Sequence, residues 1–231
     1  MKRVYREVWV APAGDGWSIL LDARTLQTPG RAALVLPKQS LADAIAAEWD
    51  AQVETIVPAT MPLMRLAATA VDRVAPQRTR AIEEIIGYVG TDLVCYRADR
   101  PAELIARQGV LWQPLVDWAT LRFDAPLPVT TGVAPRPVSA AAVAAFRSAV
   151  EAFDLWWLTA LHSATTACGS IVIGLALIDQ RLDAETAWVA SQLDETFQIE
   201  KWGEDAEAAA RRRELKRDIE ATCRFMDLLR D

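Results

Sequence analysis

Leu155–Ile178 has the sequence LWWLTALHSATTACGSIVIGLALI and holds no formal charge, so its interpretation largely determines the fold class. A single helix of this length, at ~1.5 Å rise per residue, would be long enough to span a bilayer. However, Gly169 divides the stretch, one histidine and several hydroxyl groups interrupt it, and no cluster of lysine or arginine flanks it. The pattern therefore favours two helices buried in a bundle, and we expect no membrane insertion.

The bundle is expected to include most of the chain after Pro76, because helical periodicity dominates there. Besides the uncharged pair, the predicted helices are Gln77–Val89, Thr91–Tyr96 in a short form, Pro101–Phe123, Ser139–Phe153, Asp183–Trp202 and Glu204–Leu229. The connector Pro126–Pro137 carries four prolines and should be extended. These elements predict an all-helical bundle.

The first part of the chain instead shows strand signals. The apolar runs Val4–Val10 and Trp17–Leu21 flank a turn, typical of a hairpin, in which the pair Asp15-Gly16 can supply positive φ. A second turn precedes Ala32–Leu36, which is predicted as a third strand. Three short strands need a second layer of structure to cover one face of the sheet.

A helix beginning near Ser40 is expected to supply that layer. Its apolar positions recur at helical spacing, and they are Leu41, Ile45, Ala46, Trp49 and Val53. A further helix, Leu63–Val74, stops before Pro76. The sequence therefore predicts an α+β fold. A small N-terminal α/β domain with a short antiparallel sheet, residues 1–76, precedes a larger all-α helical bundle domain, residues 77–231.

The composition limits the classes of partner. A formal net charge of -6 and a pI near 5.0 disfavour nucleic acid, whose phosphates bind lysine and arginine, and favour a basic or neutral protein. The sequence has no phosphate-binding loop, and its three cysteines lack metal-site spacing, so we expect no cofactor and no metal. Met1–Val8 has no apolar signal region, which predicts a cytoplasmic protein.

His162 is the only histidine of the chain, and it allows two interpretations. As a general base it would act on a nearby hydroxyl, from Ser163, Thr165 or Thr166, and the protein would be a small hydrolase. Adjacent positions on a helix do not face each other, however, and a base also needs an orienting carboxylate. The alternative is a hydrogen-bonded histidine inside the bundle, in a protein that is not an enzyme.

Asp194 and Glu195 are adjacent carboxylates in the segment Leu193–Gly203. Consecutive helix residues point about 100° apart, so the two cannot flank one substrate bond from the same side. The pair is therefore more typical of binding than of acid–base catalysis.

Two stripes run along the same predicted helix. The stripe suited to the bundle interior consists of Val189, Leu193 and Phe197. The other stripe consists of Glu195, Ile199 and Trp202. A carboxylate beside an exposed aliphatic and a tryptophan resembles a binding hot spot, but a buried Trp202 with a solvated Glu195 explains the spacing equally well.

A basic run, Arg211–Arg213, would suggest nucleic acid if it were taken alone. It lies in a segment, Glu204–Asp231, that holds eight acidic and seven basic residues. An apolar stripe follows the same helix and consists of Leu215, Ile219, Thr222, Met226 and Leu229. The segment therefore predicts a solvated amphipathic helix.

Five segments together resemble the assembly chaperones that bind the alpha subunit of the F(1) sector, the catalytic head of ATP synthase. They are Leu34–Gln52 (LVLPKQSLADAIAAEWDAQ), Pro58–Asp72 (PATMPLMRLAATAVD), Gly90–Leu104 (GTDLVCYRADRPAEL), Leu161–Gly169 (LHSATTACG) and Leu193–Ala210 (LDETFQIEKWGEDAEAAA). Their number and order make the resemblance specific, and it extends over nearly the whole chain.

This resemblance implies the same two-domain fold, no catalysis, and binding of unassembled alpha subunit until the beta subunit replaces the chaperone. The acidic position of the family's L-D-E segment falls on Glu195, which becomes the leading partner contact, with Asp194 beside it. Ile199 and Trp202 are further candidates. The chain lacks the transit segment of mitochondrial members, which indicates a bacterial, cytoplasmic member. We also expect the protein to be monomeric when free.

Overall fold

The computed structural model describes residues 2–132 and 136–231, and the chain divides into two structural units. The first unit comprises Met1–Arg78, Leu155–Ala160 and Ala221–Asp231. The second unit comprises Thr79–Asp154 and Leu161–Glu220. The predicted domains, 1–76 and 77–231, are each continuous, whereas both structural units combine segments that are distant in sequence.

The order of elements confirms the α+β class, with a small antiparallel sheet followed by a larger helical region. The strands are β1 (Val8–Ala13), β2 (Gly16–Leu21), β3 (Arg24–Thr25), β4 (Tyr96–Arg97) and β5 (Thr130–Thr131). The α-helices are α1 (Gln39–Asp50), α2 (Pro62–Thr69), α3 (Arg78–Gly87), α4 (Ala102–Phe123), α5 (Ala140–Glu151), α6 (Leu155–Cys168), α7 (Ile171–Ile178), α8 (Ala184–Ser191), α9 (Leu193–Trp202) and α10 (Ala206–Arg230). A π-helical turn, Ala70–Val74, extends α2.

The antiparallel sheet has the order β1-β2-β3. In its first hairpin Ala13 pairs with Gly16, so Gly14 and Asp15 form a two-residue turn. Gly14 supplies the positive φ, at 57°, and the prediction that assigned it to Asp15-Gly16 is wrong. Glycine adopts this conformation without the steric cost that a Cβ would add.

The predicted third strand, Ala32–Leu36, is wrong, because β3 is formed by earlier residues. Within Ala32–Leu36 the backbone pairing is limited to isolated bridges, Trp17 with Leu36 and Gln27 with Ala33. The hydroxyl of Ser18 donates to the carbonyl of Leu34 at 3.2 Å. A side chain thus satisfies a backbone group that a regular ladder would otherwise pair.

The helix α1 packs on β1 and β2 and forms the second layer, as predicted. Its apolar face is buried, with Leu41, Ala42, Ile45, Ala46 and Trp49 in the core. Val53 is instead 81% exposed, so its predicted place on this face is wrong. The helix ends at Asp50, and helical spacing no longer determines the direction of side chains beyond its end.

The uncharged stretch forms two helices, α6 and α7, as predicted. Gly169, between them, has a φ of 64°, which suits glycine and ends α6. The hydroxyl of Ser170 then accepts a hydrogen bond from the Ile173 amide at 3.0 Å and caps α7. No helix among the described residues has both the length and the apolar composition needed to cross a bilayer.

Two predicted helices are not single α-helices. Asp183–Trp202 is interrupted at Gln192, where φ is -108° and ψ is 16°, so that α8 and α9 are separate. The short helix predicted at Thr91–Tyr96 is a 3₁₀ turn, Leu93–Cys95. The periodicity of apolar residues does not reveal the break at Gln192, because the apolar pattern of the sequence continues across this one non-helical residue.

The region after Pro76 also contains a strand pair, which the prediction of helices and one connector missed. The strands β4 and β5 are parallel, and each has only two residues. Of the predicted connector Pro126–Pro137, residues 133–135 lie outside the described part of the chain.

Candidate functional site

The predicted partner-binding segment lies on α9, which packs against α4 in the second unit. Leu193 and Phe197 are buried, as predicted for the interior stripe. Val189 lies in α8 rather than α9 and is 42% exposed, so its predicted place in that stripe is wrong. Gly203, with a φ of 82°, ends α9 immediately after Trp202.

The second stripe of α9 reaches the surface. Trp202 is 78% exposed, so the alternative in which it is a core residue is wrong. Glu195 and Ile199 are half-buried. Because these residues stand at positions i, i+4 and i+7 of one helix, they lie on the same face. We call Glu195, Ile199 and Trp202 the α9 stripe.

Asp194 is half-buried, and its carboxylate is hydrogen-bonded within the second unit. Its Oδ1 accepts a hydrogen bond from Nε2 of Gln108 at 2.8 Å, and Gln108 is fully buried in α4. Burial raises the pKa of Asp194, while the bond from Gln108 and the charge of Arg97 act in the opposite direction. Among the described residues, the carboxylate of Asp194 has a hydrogen-bond partner, whereas that of its neighbour Glu195 has none.

Ion pairs fix the outer edge of α9 on α4. Arg107 contacts Glu200 and Glu103 at 2.8 Å each, and Lys201 contacts Glu103 at 3.0 Å. The side-chain cations of Arg107 and Lys201 also lie 5.2 and 5.1 Å from the ring centroid of Phe197. Each exposed pair contributes little alone, but the shared network limits the rotation of α9.

One arginine of the basic run is used within the second unit. Arg212 lies 5.3 Å from the ring centroid of Trp188, donates to Oγ1 of Thr196 at 3.1 Å, and pairs with Glu204 at 3.4 Å. The run was predicted to lie on an amphipathic helix, and α10 is such a helix. Sequence spacing gave no signal of the contacts that Arg212 makes with α8 and α9.

His162 is paired with a carboxylate rather than with a hydroxyl among the described residues. Its Nε2 lies 2.9 Å from Oε2 of Glu84, which also pairs with Arg80 at 2.8 Å. These two hydrogen bonds, that of His162 first, lower the pKa of Glu84. The histidine is hydrogen-bonded, as predicted, although 29% of its side chain is exposed. Within the described residues, no group of three His, Cys, Asp or Glu side chains could hold a metal ion.

Comparison with known proteins identifies the family. Residues 2–120, more than half of the chain, match the family model described as ATP12 chaperone protein. The chain belongs to the ATP12 chaperone family. A solved structure of Atp12 from Paracoccus denitrificans supports this assignment, with 43% sequence identity and a TM-score of 0.94. That similarity covers 98% of this ATP12-family chain and 97% of the Paracoccus chain.

Other relatives come from a second bacterium and from a mitochondrion. A solved Agrobacterium tumefaciens protein that is described as a candidate chaperone is 39% identical, with a TM-score of 0.93, over 99% of this chain and 86% of that chain. The mitochondrial protein atp12 of Schizosaccharomyces pombe is 23% identical, over 81% of this chain and 69% of that protein. The family model and the Agrobacterium protein are described as chaperones, so the prediction of a non-enzyme agrees with them and the hydrolase alternative through His162 is not favoured.

Proposed function

We propose that this ATP12-family chain binds the unassembled alpha subunit of the ATP synthase F(1) sector and covers its apolar interface until the beta subunit replaces it. Family membership supports a role as an assembly chaperone. A free subunit exposes interface that would otherwise self-associate, and reversible cover prevents this. Similarity to proteins of two bacteria supports action in a bacterial cytoplasm.

The exposure of Trp202 is the observation that carries the proposal. A tryptophan is among the residues most enriched in binding hot spots, and burying its indole removes about 150–250 Å² from water. At 78% exposure this side chain contributes little to its own core and is available to a partner. The ion pairs between α9 and α4 hold the helix that presents it.

Glu195 gives the α9 stripe its charge. A carboxylate beside Ile199 and Trp202 fits a client surface that carries a basic side chain next to an apolar patch. Such a pair speeds association more than it strengthens the final complex, which suits a chaperone that must release its client. Asp194 was predicted as a second contact; in this proposal it positions α9 through Gln108, because its carboxylate is already bonded there.

We expect Glu195→Lys to weaken binding of purified alpha subunit at least tenfold, which is about 1.4 kcal/mol. The new cation would face the basic side chain that the carboxylate is proposed to meet. The measurement is biolayer interferometry with the immobilised chaperone, and circular dichroism checks that the fold is intact.

The matched control for this variant is Glu214→Lys, which makes the same charge change at an exposed position of α10. It should leave the affinity unchanged. Equal weakening by both variants would show a general charge effect and would contradict the role of Glu195. A wild-type chain that binds no alpha subunit, or that stays bound after excess beta subunit is added, would contradict the proposed function itself.

Trp202→Ala is expected to weaken binding by about 2 kcal/mol, or roughly thirtyfold, mainly through faster dissociation. Its effect on the unfolding midpoint in urea should be small, because a side chain that is 78% exposed leaves no cavity. Trp9→Ala is the control, since Trp9 is 57% exposed on β1 of the first unit. Equal loss of affinity in the two variants would contradict the proposal that the α9 stripe contacts the alpha subunit.

A further inference from the structure

The first unit contains a cleft of about 610 Å³ that the proposed function does not use. Its apolar lining includes Tyr5, Leu26 and Trp49, which are between 6% and 8% exposed. Val4 also lines it and is 85% exposed. A concave surface with an apolar floor and a projecting aliphatic side chain has the general form of a peptide-binding groove.

The backbone along one wall of the cleft belongs to an edge strand. The residues of β3 line the cleft, and β3 is the outermost strand in the order β1-β2-β3. Among the described residues, Arg24 and Thr25 pair in a strand only with β2. An edge strand leaves backbone donors and acceptors that an added strand can pair, which is a common mode of peptide recognition.

The charged groups at the cleft give it a positive character in a chain whose formal net charge is -6. Lys2 and Arg24 line it, are exposed, and form no ion pair within the described residues. The carboxylate of Asp22 also lines it, but Oδ1 accepts hydrogen bonds from the amides of Arg6 and Glu7 at 2.9 Å each. Those two bonds lower the pKa of Asp22, and through them the backbone amides of this chain partly neutralise its negative charge.

We propose that this cleft binds an extended, acidic peptide segment of the client protein, which pairs with the edge of β3 and inserts an apolar side chain between Val4 and Trp49. This inference rests on the proposed function, because the client is the alpha subunit. Carboxylates on the segment would meet Lys2 and Arg24. A segment of four or five residues, at ~3.3 Å per residue, would span roughly 15 Å.

The test combines charge reversal with cross-linking. The double variant Lys2→Glu/Arg24→Glu should weaken binding of purified alpha subunit about tenfold, mainly through slower association, and the weakening should diminish in high salt. The control Arg73→Glu makes one such change at an exposed residue of the first unit that does not line the cleft, and it should have no effect. A photo-reactive residue in place of Val4 should cross-link to one acidic segment of the alpha subunit, identified by mass spectrometry.

The outcomes separate this inference from the proposed function. Suppose that the wild-type chain binds the alpha subunit, that the double variant binds it equally well, and that the photo-reactive residue at position 4 yields no cross-linked client peptide. The proposed role of the cleft is then overturned, and the proposed function stands. A cross-link to a basic segment would also overturn the inference. If the wild-type chain binds no alpha subunit, the proposed function fails first.

Discussion

Replacing Asp92 with alanine is expected to lower the free energy of unfolding by about 4 kcal/mol, since several buried donors would lose their acceptor. Asp92 is fully buried in the second unit. Its carboxylate accepts hydrogen bonds from the amides of Val94 at 3.1 Å and Val172 at 3.0 Å. The amide of Ile171 and the hydroxyl of Ser170 also bond to it. One side chain thus caps both the 3₁₀ turn Leu93–Cys95 and the start of α7.

The effect of pH on this site distinguishes the carboxylate from a neutral cap. Burial raises the pKa of Asp92 to about 6, against the opposing effect of its hydrogen bonds. The folded chain therefore holds this proton more tightly than the unfolded chain, whose aspartates have a pKa near 3.9. The resulting contribution to stability is present in full below about pH 4 and is lost as the pH rises through about 6.

Urea unfolding between pH 4 and 8 measures both effects. Asp92→Asn keeps the shape of the side chain but cannot titrate. The difference in the free energy of unfolding between this variant and the wild type should therefore change between about pH 4 and 6 and stay constant at higher pH. Asp99→Ala is the control, because Asp99 is exposed and should change the free energy of unfolding by less than about 0.5 kcal/mol. A loss at Asp92→Ala no larger than this would contradict the capping role.

Sequence patterns predicted the features that depend on composition along one element. The uncharged stretch from Leu155 to Ile178 forms two helices because its apolar residues need burial on every side and Gly169 breaks the helix. The spacing of Leu41, Ile45 and Trp49 likewise predicted the buried face of α1. Such signals are local, so they are present in the sequence itself.

The predictions that were wrong or incomplete concern features that depend on contacts between distant segments. Ala32–Leu36 has the composition of a strand, yet the chain pairs it with β2 only at an isolated bridge and through the Ser18 hydroxyl. The strands β4 and β5 are too short to produce any alternation of apolar and polar residues. The cap at Asp92 joins groups 80 residues apart, which no local pattern indicates.

The candidate site shows the same division. Helical spacing placed Glu195, Ile199 and Trp202 on one face, but it could not determine whether that face was buried, because exposure depends on which neighbouring helix covers it. The structure adds that Trp202 is exposed. It also separates Asp194 from Glu195, since the bond from Gln108 to Asp194 links residues that are 86 positions apart.

The hydrogen bond from Gln108 to Asp194 predicts a second large effect. Replacing Gln108 with leucine should lower the free energy of unfolding by about 3 kcal/mol. Leucine has a similar size but offers no polar atom. Asp194 would lose the donor at 2.8 Å, and the amide of Ala98 would lose Oε1 of Gln108, also at 2.8 Å. Because α9 would lose a fixed point on α4, the proposed binding of the alpha subunit should weaken as well.

The pH dependence of this loss identifies its cause. Burial already raises the pKa of Asp194, and removing the bond from Gln108 should raise it further, since that bond favours the charged form. The cost of the substitution should therefore be largest above the pKa of Asp194 and diminish as the pH falls through it, because a protonated carboxyl is less costly to bury.

Gln113→Leu provides the matched control on the same helix. Gln113 donates to Oδ1 of Asp117 at 2.8 Å in an exposed bond, and its Oε1 accepts a long bond from Nη2 of Arg97 at 3.4 Å. Losing both should cost about 1 kcal/mol or less, well below the loss expected at Gln108. If the two leucine variants lose equal stability and bind the alpha subunit equally, Asp194 does not position α9. A stability loss confined to Gln108→Leu, together with weaker binding that Gln113→Leu does not show, would link the buried amide to the exposed stripe.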